Sequence, residues 1–379
     1  VAAPDRPPAL AQQGPGAALP REQALAELLA LAEAASEHRE RRVSEATRRY
    51  NEADWRQYAA WCDRLGVKAL PVEPGTVALY LTDLARQMRP DGAPRYRAST
   101  LQRHVASLAR KQFETGGGRG LGQHEAIADV LGGIRRLRQE RTRGKEALLR
   151  DDVVRLVGDM DHGTWPRGIT AARDTLALLL GFATALRRSE LAALTNGQVR
   201  LDRTDGLLIR LGRSKTDQEG RGALLAVPFG VHPTSCVPCA WMRWRRLLAA
   251  ETRSARMRLV LSTDVPDRWA HLCHGFAPGV ADDSALLRAV NKAGEIADGH
   301  LAGESINALL KRRLDASGYR SDLYGAHSLR AGFVTQARRN GADVRAVRKQ
   351  TRHASDSSVE TYDRDHNPLE GNAVTRLGL

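Results

Sequence analysis

The chain has 379 residues, with 58 Lys+Arg against 44 Asp+Glu, a net charge of +14 and a pI ≈ 10.2. That excess points to a polyanionic partner, nucleic acid first, with a merely solvated basic surface as the bland alternative. Length predicts two or three domains, 42% hydrophobic residues is enough for real cores, and no apolar run approaches a membrane span.

Residues 1–20, rich in Pro, Ala and Gly, predict a disordered tail and not a signal peptide, because prolines break the stretch where an apolar region should run. The expected compartment is therefore cytosolic. A helix follows over 21–40, and a helical bundle over 41–138. "SEATRRYNEADWRQYAAWCDRLG" starts with a capping-box pattern and ends on Gly66. Val77, Leu81 and Leu84 make one apolar stripe, Leu101, Val105 and Leu108 another, and a last helix falls around 123–139. Arg103, Arg110 and Lys111 lie opposite the second stripe, with Arg95 and Arg97 just upstream. Such a row can follow a phosphate backbone or form an ordinary solvated face. The junction "RRLRQERTRGK" is a sharper signal. Six of its eleven residues are basic: Arg135, Arg136, Arg138, Arg141, Arg143 and Lys145. Residues 139–145 read as a basic linker that can track phosphates.

From 146 the texture changes. Helices around 150–160 and 168–184, the second holding the apolar "TLALLLGFATAL", lead to "RRSELAALT". The period then becomes that of short strands in "QVRLD", "GLLIRL" and "GALLAVP", a three-stranded antiparallel sheet. Helical patterns return near 238 and are expected to dominate to the end. The fold class is mainly α with a small antiparallel sheet. Four cysteines do not make a disulfide framework at this length. Cys236 and Cys239, with Cys273 and His274 later, would allow a zinc site to be drawn. The spacing is not that of a known finger, and "VPCAWMRWRRLLAA" reads as the start of an amphipathic helix, so apolar burial and no metal are expected.

Four polar clusters carry chemistry. Arg187 opens a short helix with Glu190 three residues on, and Lys215 sits between two strands. His327 and Arg330 stand one helical turn apart, and His353 precedes Tyr362 by nine positions in the polar stretch "RHASDSSVETY". Each is weak alone, since Arg-x-x-Glu is commonly a surface pair. Together they supply what phosphoryl transfer to a protein hydroxyl requires without a metal. Two guanidiniums hold non-bridging oxygens, a phenol attacks once deprotonated, and a mobile ammonium protonates the leaving alkoxide.

In this order the motifs resemble the tyrosine recombinases, or phage integrases. "ALRRSEL" is similar to their first arginine box, "RSKTD" to the hairpin-lysine motif, "HSLR" to the His-x-x-Arg box and "RHASDSSVETY" to the histidine-plus-nucleophile box. Within that family "AAWC", "EPGTVALYL", "RTDGLLIRLGRSKT" and "GNAVTRLGL" look most like the Cre-like recombinases. The resemblance implies a helical, SAM-like core-binding domain and an α+β catalytic domain over 146–379 that close on DNA as a C-shaped clamp. Arg187 and Arg330 become clamp arginines, Lys215 the general acid and Glu190 the supporting acid. His327 serves proton transfer, His353 donates to the scissile phosphate, and Tyr362 becomes a 3′-phosphotyrosine. Strand exchange through a Holliday junction would then need no cofactor. The partners implied are double-stranded DNA with paired inverted-repeat sites and a homotetramer, with the last residues docking in trans. Two departures concern geometry: the family commonly has Gly before the first arginine and before the last histidine, where this chain has Ala185-Leu186 and Arg352. A type IB topoisomerase, which usually has lysine where His327 stands, and a catalytically silent DNA-binding regulator are the rival readings.

Overall fold

The computed structural model describes residues 20–41, 45–138, 145–212, 222–262, 270–353, 355–356, 374 and 377. All of the expected tail over 1–20 except Pro20, most of the linker, the capping position Ser44 and most of the C-terminal tail lie outside them. The chain divides into two compact units, Val1–Thr142 and Arg143–Leu379.

The named elements among the described residues of the first unit are helices: α1 (Arg21–Arg41), α2 (Glu45–Arg64), α3 (Pro74–Arg86), α4 (Ala98–Glu114) and α5 (Glu125–Arg138). Pro74 starts α3, where its missing N–H costs no hydrogen bond. Gly66 ends α2 in the left-handed region at φ 67, so the turn depends on a residue without Cβ. The predicted stripes are the core: Val77, Leu81, Leu84, Leu101, Val105 and Leu108 are all buried, together with Tyr58, Tyr80 and Ile127. Tyr58 and Tyr80 meet edge to face at 5.2 Å.

The second unit begins with α6 (Arg150–Gly158), α7 (Arg167–Thr184) and α8 (Arg188–Ala192). The apolar run of α7 is buried on nearly every side, as its composition demands. Its buried Asp174 is satisfied on both oxygens, by Arg173 at 2.7 Å and by Arg313 at 2.8 Å. The expected sheet follows as β1 (Val199–Asp202), β2 (Gly206–Leu211) and β3 (Ala223–Val227), antiparallel in the order β1-β2-β3, with Val199 opposite Ile209 and Leu207 opposite Val227. Then come α9 (Val237–Ala249) and α10 (Arg253–Leu261).

Helix does not simply continue from there. A second hairpin, β4 (Arg288–Val290) and β5 (Ile296–His300), intervenes. Its turn is built by Asn291, whose Oδ1 accepts the N–H groups of Ala293 and Glu295, and by Gly294 at φ 85. The chain ends its described course in α11 (Gly303–Ala316), α12 (His327–Arg339) and α13 (Val344–Thr351). Gly332 lets α12 lie against the backbone of Leu148, since a Cβ there would stand 1.7 Å from the Leu148 carbonyl oxygen. No helix among the described residues is long and apolar enough to cross a membrane.

Candidate active site

Three chain turns meet at the site. At the first, α7 stops at Thr184 and Ala185 takes a left-handed conformation at φ 49, with its neighbour Leu186 buried as an anchor. Arg187 then caps α8, and Glu190 reaches back to accept the Arg187 backbone N–H at 2.9 Å and its Nη1 at 2.9 Å. The second turn starts α12, where His327 is the first residue and Arg330 lies one turn on. Arg330 is only 2% exposed, and its Nη1 donates to the Ala185 carbonyl at 2.7 Å. The third is the end of α13, where Arg352 is left-handed at φ 55 and His353 follows, its Nδ1 2.8 Å from the Thr351 hydroxyl.

Of the positions where the resemblance expects glycine, Ala185-Leu186 and Arg352, the structure makes Ala185 and Arg352 left-handed. A non-glycine residue there costs roughly 1–2 kcal/mol. Arg352 offsets its share by a pair with Glu190, Nη2 to Oε2 at 2.5 Å, with both side chains largely shielded. Glu190 therefore bridges two arginines. Burial pushes its carboxyl pKa up, but the Arg187 N–H, the Arg352 charge and the Arg187 side chain outweigh burial and hold it below the ordinary value. Arg352 and Thr351 are site residues that the motifs do not reveal. The one sequence signal for them is the replacement of an expected glycine by a long cation beside the histidine.

Arg187, Glu190, His327, Arg330 and His353 are thus brought together. Burial first, then the Arg330 and Arg187 charges, lower the His327 pKa; the same causes, with His327 added, take His353 down from 6.5 to about 4. Both imidazoles are neutral near pH 7, beside two fixed cations. Lys215 lies in the connection between β2 and β3 and Tyr362 beyond α13, and both are outside the described residues.

After burial, the Arg330 and Arg187 charges are the next causes of the depressed histidine pKa values, so an anion held between the two guanidiniums would raise both from where the free protein holds them. DNA affinity should rise as pH falls from 7.5 towards 5, and His353→Gln should flatten that slope, as read by binding titrations across the range. The free protein runs the other way. The depressed folded pKa of His353 means its stability contribution is full above the ordinary 6.5 and is lost as pH falls towards about 4.

In the first unit the basic residues divide. Arg103 is tied to buried Asp54, Nε to Oδ2 at 3.1 Å and Nη2 to Oδ1 at 2.8 Å, and Arg138 donates to the carbonyls of Tyr96 and Ala85. Arg135 bonds Gln102 at 2.5 Å, and in the second unit Lys145 donates to the Asp322 carbonyl. Arg95, Arg97 and Arg136 are exposed. Arg110, paired with Glu114, and Lys111, over Trp55 at 5.5 Å, line a groove of ≈ 730 Å³ with Arg48 and Arg49 of α2. The α2 arginines give no sequence signal of this, because no local pattern places α2 beside α4. Arg141 and Arg143 lie outside the described residues.

A helical bundle is followed by an α+β unit in which two arginines, two histidines and a buttressing glutamate converge, a plan that resembles the tyrosine recombinases. No family model matches the chain. It is similar to an integrase/recombinase xerD homolog of Selenomonas ruminantium, 26% identical over 329 residues that cover 86% of this chain and 83% of the relative. It is also similar to recombinase Cre of Escherichia phage P1, 27% identical over 333 residues, 85% of this chain and 84% of that one. Among solved structures, the Tn1549 transposon integrase in complex with transposon right end DNA matches with a TM-score of 0.54 at 16% identity, covering 86% of this chain and 92% of its own. The resemblance read from short motifs thus extends over most of the chain, in sequence to the recombinases and in fold to the integrase.

Proposed function

We propose that the chain is a site-specific DNA recombinase that cuts and rejoins strands through a phosphotyrosine at Tyr362. The observation that carries this is the pairing of Arg187 and Arg330 across two neutral histidines, with Arg330 oriented by the Ala185 carbonyl and Arg187 by Glu190. Two fixed guanidiniums match the non-bridging oxygens of a phosphodiester and offset the charge that grows in a pentavalent transition state. The Tyr362 oxygen attacks phosphorus and gives up its proton to a neighbouring base, for which neutral His327 is suited. His353 donates to a non-bridging oxygen. The 5′ oxygen leaves with a proton from Lys215, and the new 3′-phosphotyrosine keeps the bond energy. A second 5′ hydroxyl then attacks, releasing the phenol and restoring a phosphodiester.

On this reading, residues 41–138 bind the duplex, 139–145 link, and 146–379 cut. Four copies act on paired inverted repeats, passing through a Holliday junction, and the tail after Tyr362 docks on a neighbour. The protein acts in the cytoplasm on bacterial, phage or plasmid DNA. The groove between α2 and α4 follows phosphates. Alanine at Arg48, Arg49, Arg110 and Lys111 together should weaken binding and reduce the slope of log K on log salt by about 0.9 for each phosphate no longer neutralised. An unchanged slope would identify the groove as merely solvated.

The reading is tested with a plasmid carrying two copies of the DNA that flanks the coding sequence. Deletion or inversion between the copies is expected. Relaxation of supercoils alone would identify a topoisomerase, and binding without any change in topology would identify a regulator; either result defeats the proposal.

A further inference from the structure

Away from the arginine pocket, the start of α9 gathers three thiols and an imidazole. Cys236 caps the helix, Cys239 follows within its first turn, and Cys273 lies on the segment after α10; all three are buried. His271 joins them, its Nδ1 3.4 Å from the Cys239 Sγ and 3.6 Å from the Cys273 Sγ, while the Cys236 and Cys273 sulfurs are 3.9 Å apart. The four donor atoms all lie within 4.8 Å of one another. A tetrahedral zinc ion, with Zn–S of about 2.3 Å and Zn–N of about 2.0 Å, sets its sulfurs about 3.8 Å apart and its sulfur and nitrogen about 3.5 Å apart. The observed spacings already approach that figure.

We propose that Cys236, Cys239, His271 and Cys273 form a closed structural zinc site. Apolar burial accounts for three hidden cysteines but not for an imidazole turned into them. The His271 Nε2 is 3.2 Å from the Val231 carbonyl, which can only accept. That bond puts the ring proton on Nε2 and leaves the Nδ1 lone pair facing the sulfurs, as a zinc-bound histidine with an outer partner requires. Two backbone N–H groups also donate to sulfur, Gly230 to Cys236 and Leu272 to Cys239, each at 3.3 Å. Gly230 has to be glycine for this approach, because a Cβ would lie 2.8 Å from the Cys236 Cα.

Three thiolates and one neutral imidazole around Zn²⁺ leave one negative charge. Arg243, one turn beyond Cys239 on α9, reaches the Pro233 and Ala270 carbonyls, each at 3.4 Å, and so brings a cation beside the segments that carry the ligands. His274, which follows Cys273 directly in the sequence, instead lies against Phe229 at 4.6 Å. With all four positions filled by protein, the site has no place for substrate. It ties the turn after β3 and the segment after α10 to the start of α9.

The test uses the full chain purified without chelator. Plasma mass spectrometry should find about one zinc per chain, and a mercurial that caps thiolates should release it to a colorimetric chelator. Cys62→Ser, which alters the cysteine outside the cluster, should keep full occupancy. His271→Ala changes an exposed ligand, so a chain shown to be folded by circular dichroism should lose zinc at least about tenfold faster than wild type. Folded wild type with no zinc and four freely titrating thiols overturns the proposal. So does a disulfide between Cys236 and Cys273, a different metal in zinc's place, or a His271→Ala chain that releases zinc at the wild-type rate.

Discussion

Lysine in place of Arg330 should slow DNA cleavage by roughly 10²–10³-fold while leaving DNA affinity within about twofold. The side chain is buried, and one arm of its fork is held by the Ala185 carbonyl at 2.7 Å, which aims the remaining donors. A lysine keeps the charge but has a single ammonium that cannot both hold that carbonyl and cradle a phosphoryl oxygen. The loss falls on the transition state, where equatorial charge is greatest, and not on the bound duplex, whose many phosphates are neutralised elsewhere. Arg187→Lys should act in the same direction. Its partner Glu190 is already shared with Arg352, so the pocket keeps its buttress while the planar fork is lost. Single-turnover cleavage beside filter binding measures both quantities. Normal cleavage by either lysine variant would reject the clamp.

Much of this could be seen in the sequence because burial has a period. Leu101, Val105 and Leu108 recur at helical spacing and form the core, and β1, β2 and β3 announce themselves by apolar residues between turns. The second hairpin could not be seen so easily. β5 is exposed along most of its length, so no alternation marks it, and only the Asn291 turn gives it away. The site was legible where chemistry demands a residue type in a local motif. It was not legible where a role depends on a distant partner. Arg352 acquires its role from Glu190, 162 positions earlier in the chain, and Arg103 is withdrawn towards Asp54 on another helix. His271 replaces His274 in the thiol cluster for the same reason, since a loop's path decides which ring faces inward.

The largest effects are expected at Tyr362 and Lys215, and they separate nucleophile from acid. Tyr362→Phe keeps the ring and removes the hydroxyl, so no covalent protein–DNA adduct should form on any substrate. Lys215→Ala should also stop cleavage of ordinary DNA, because the 5′ alkoxide leaves without a proton. Replacing the bridging oxygen by sulfur gives a leaving group that departs as a thiolate and hardly needs an acid. That substrate should restore cleavage to Lys215→Ala and leave Tyr362→Phe inactive. If wild type cuts the sulfur substrate and Lys215→Ala does not, Lys215 serves binding or structure instead.

The covalent bond itself is the most direct measurement. A duplex nicked just beyond the cleavage point lets the short fragment that carries the freed 5′ hydroxyl diffuse away, which traps the cleaved complex. Digestion of that complex and mass spectrometry should place a single nucleotide adduct on the peptide containing Tyr362, joined through a 3′ phosphate. An adduct on any other residue, a 5′ linkage, or cleavage with no protein attached would contradict the account.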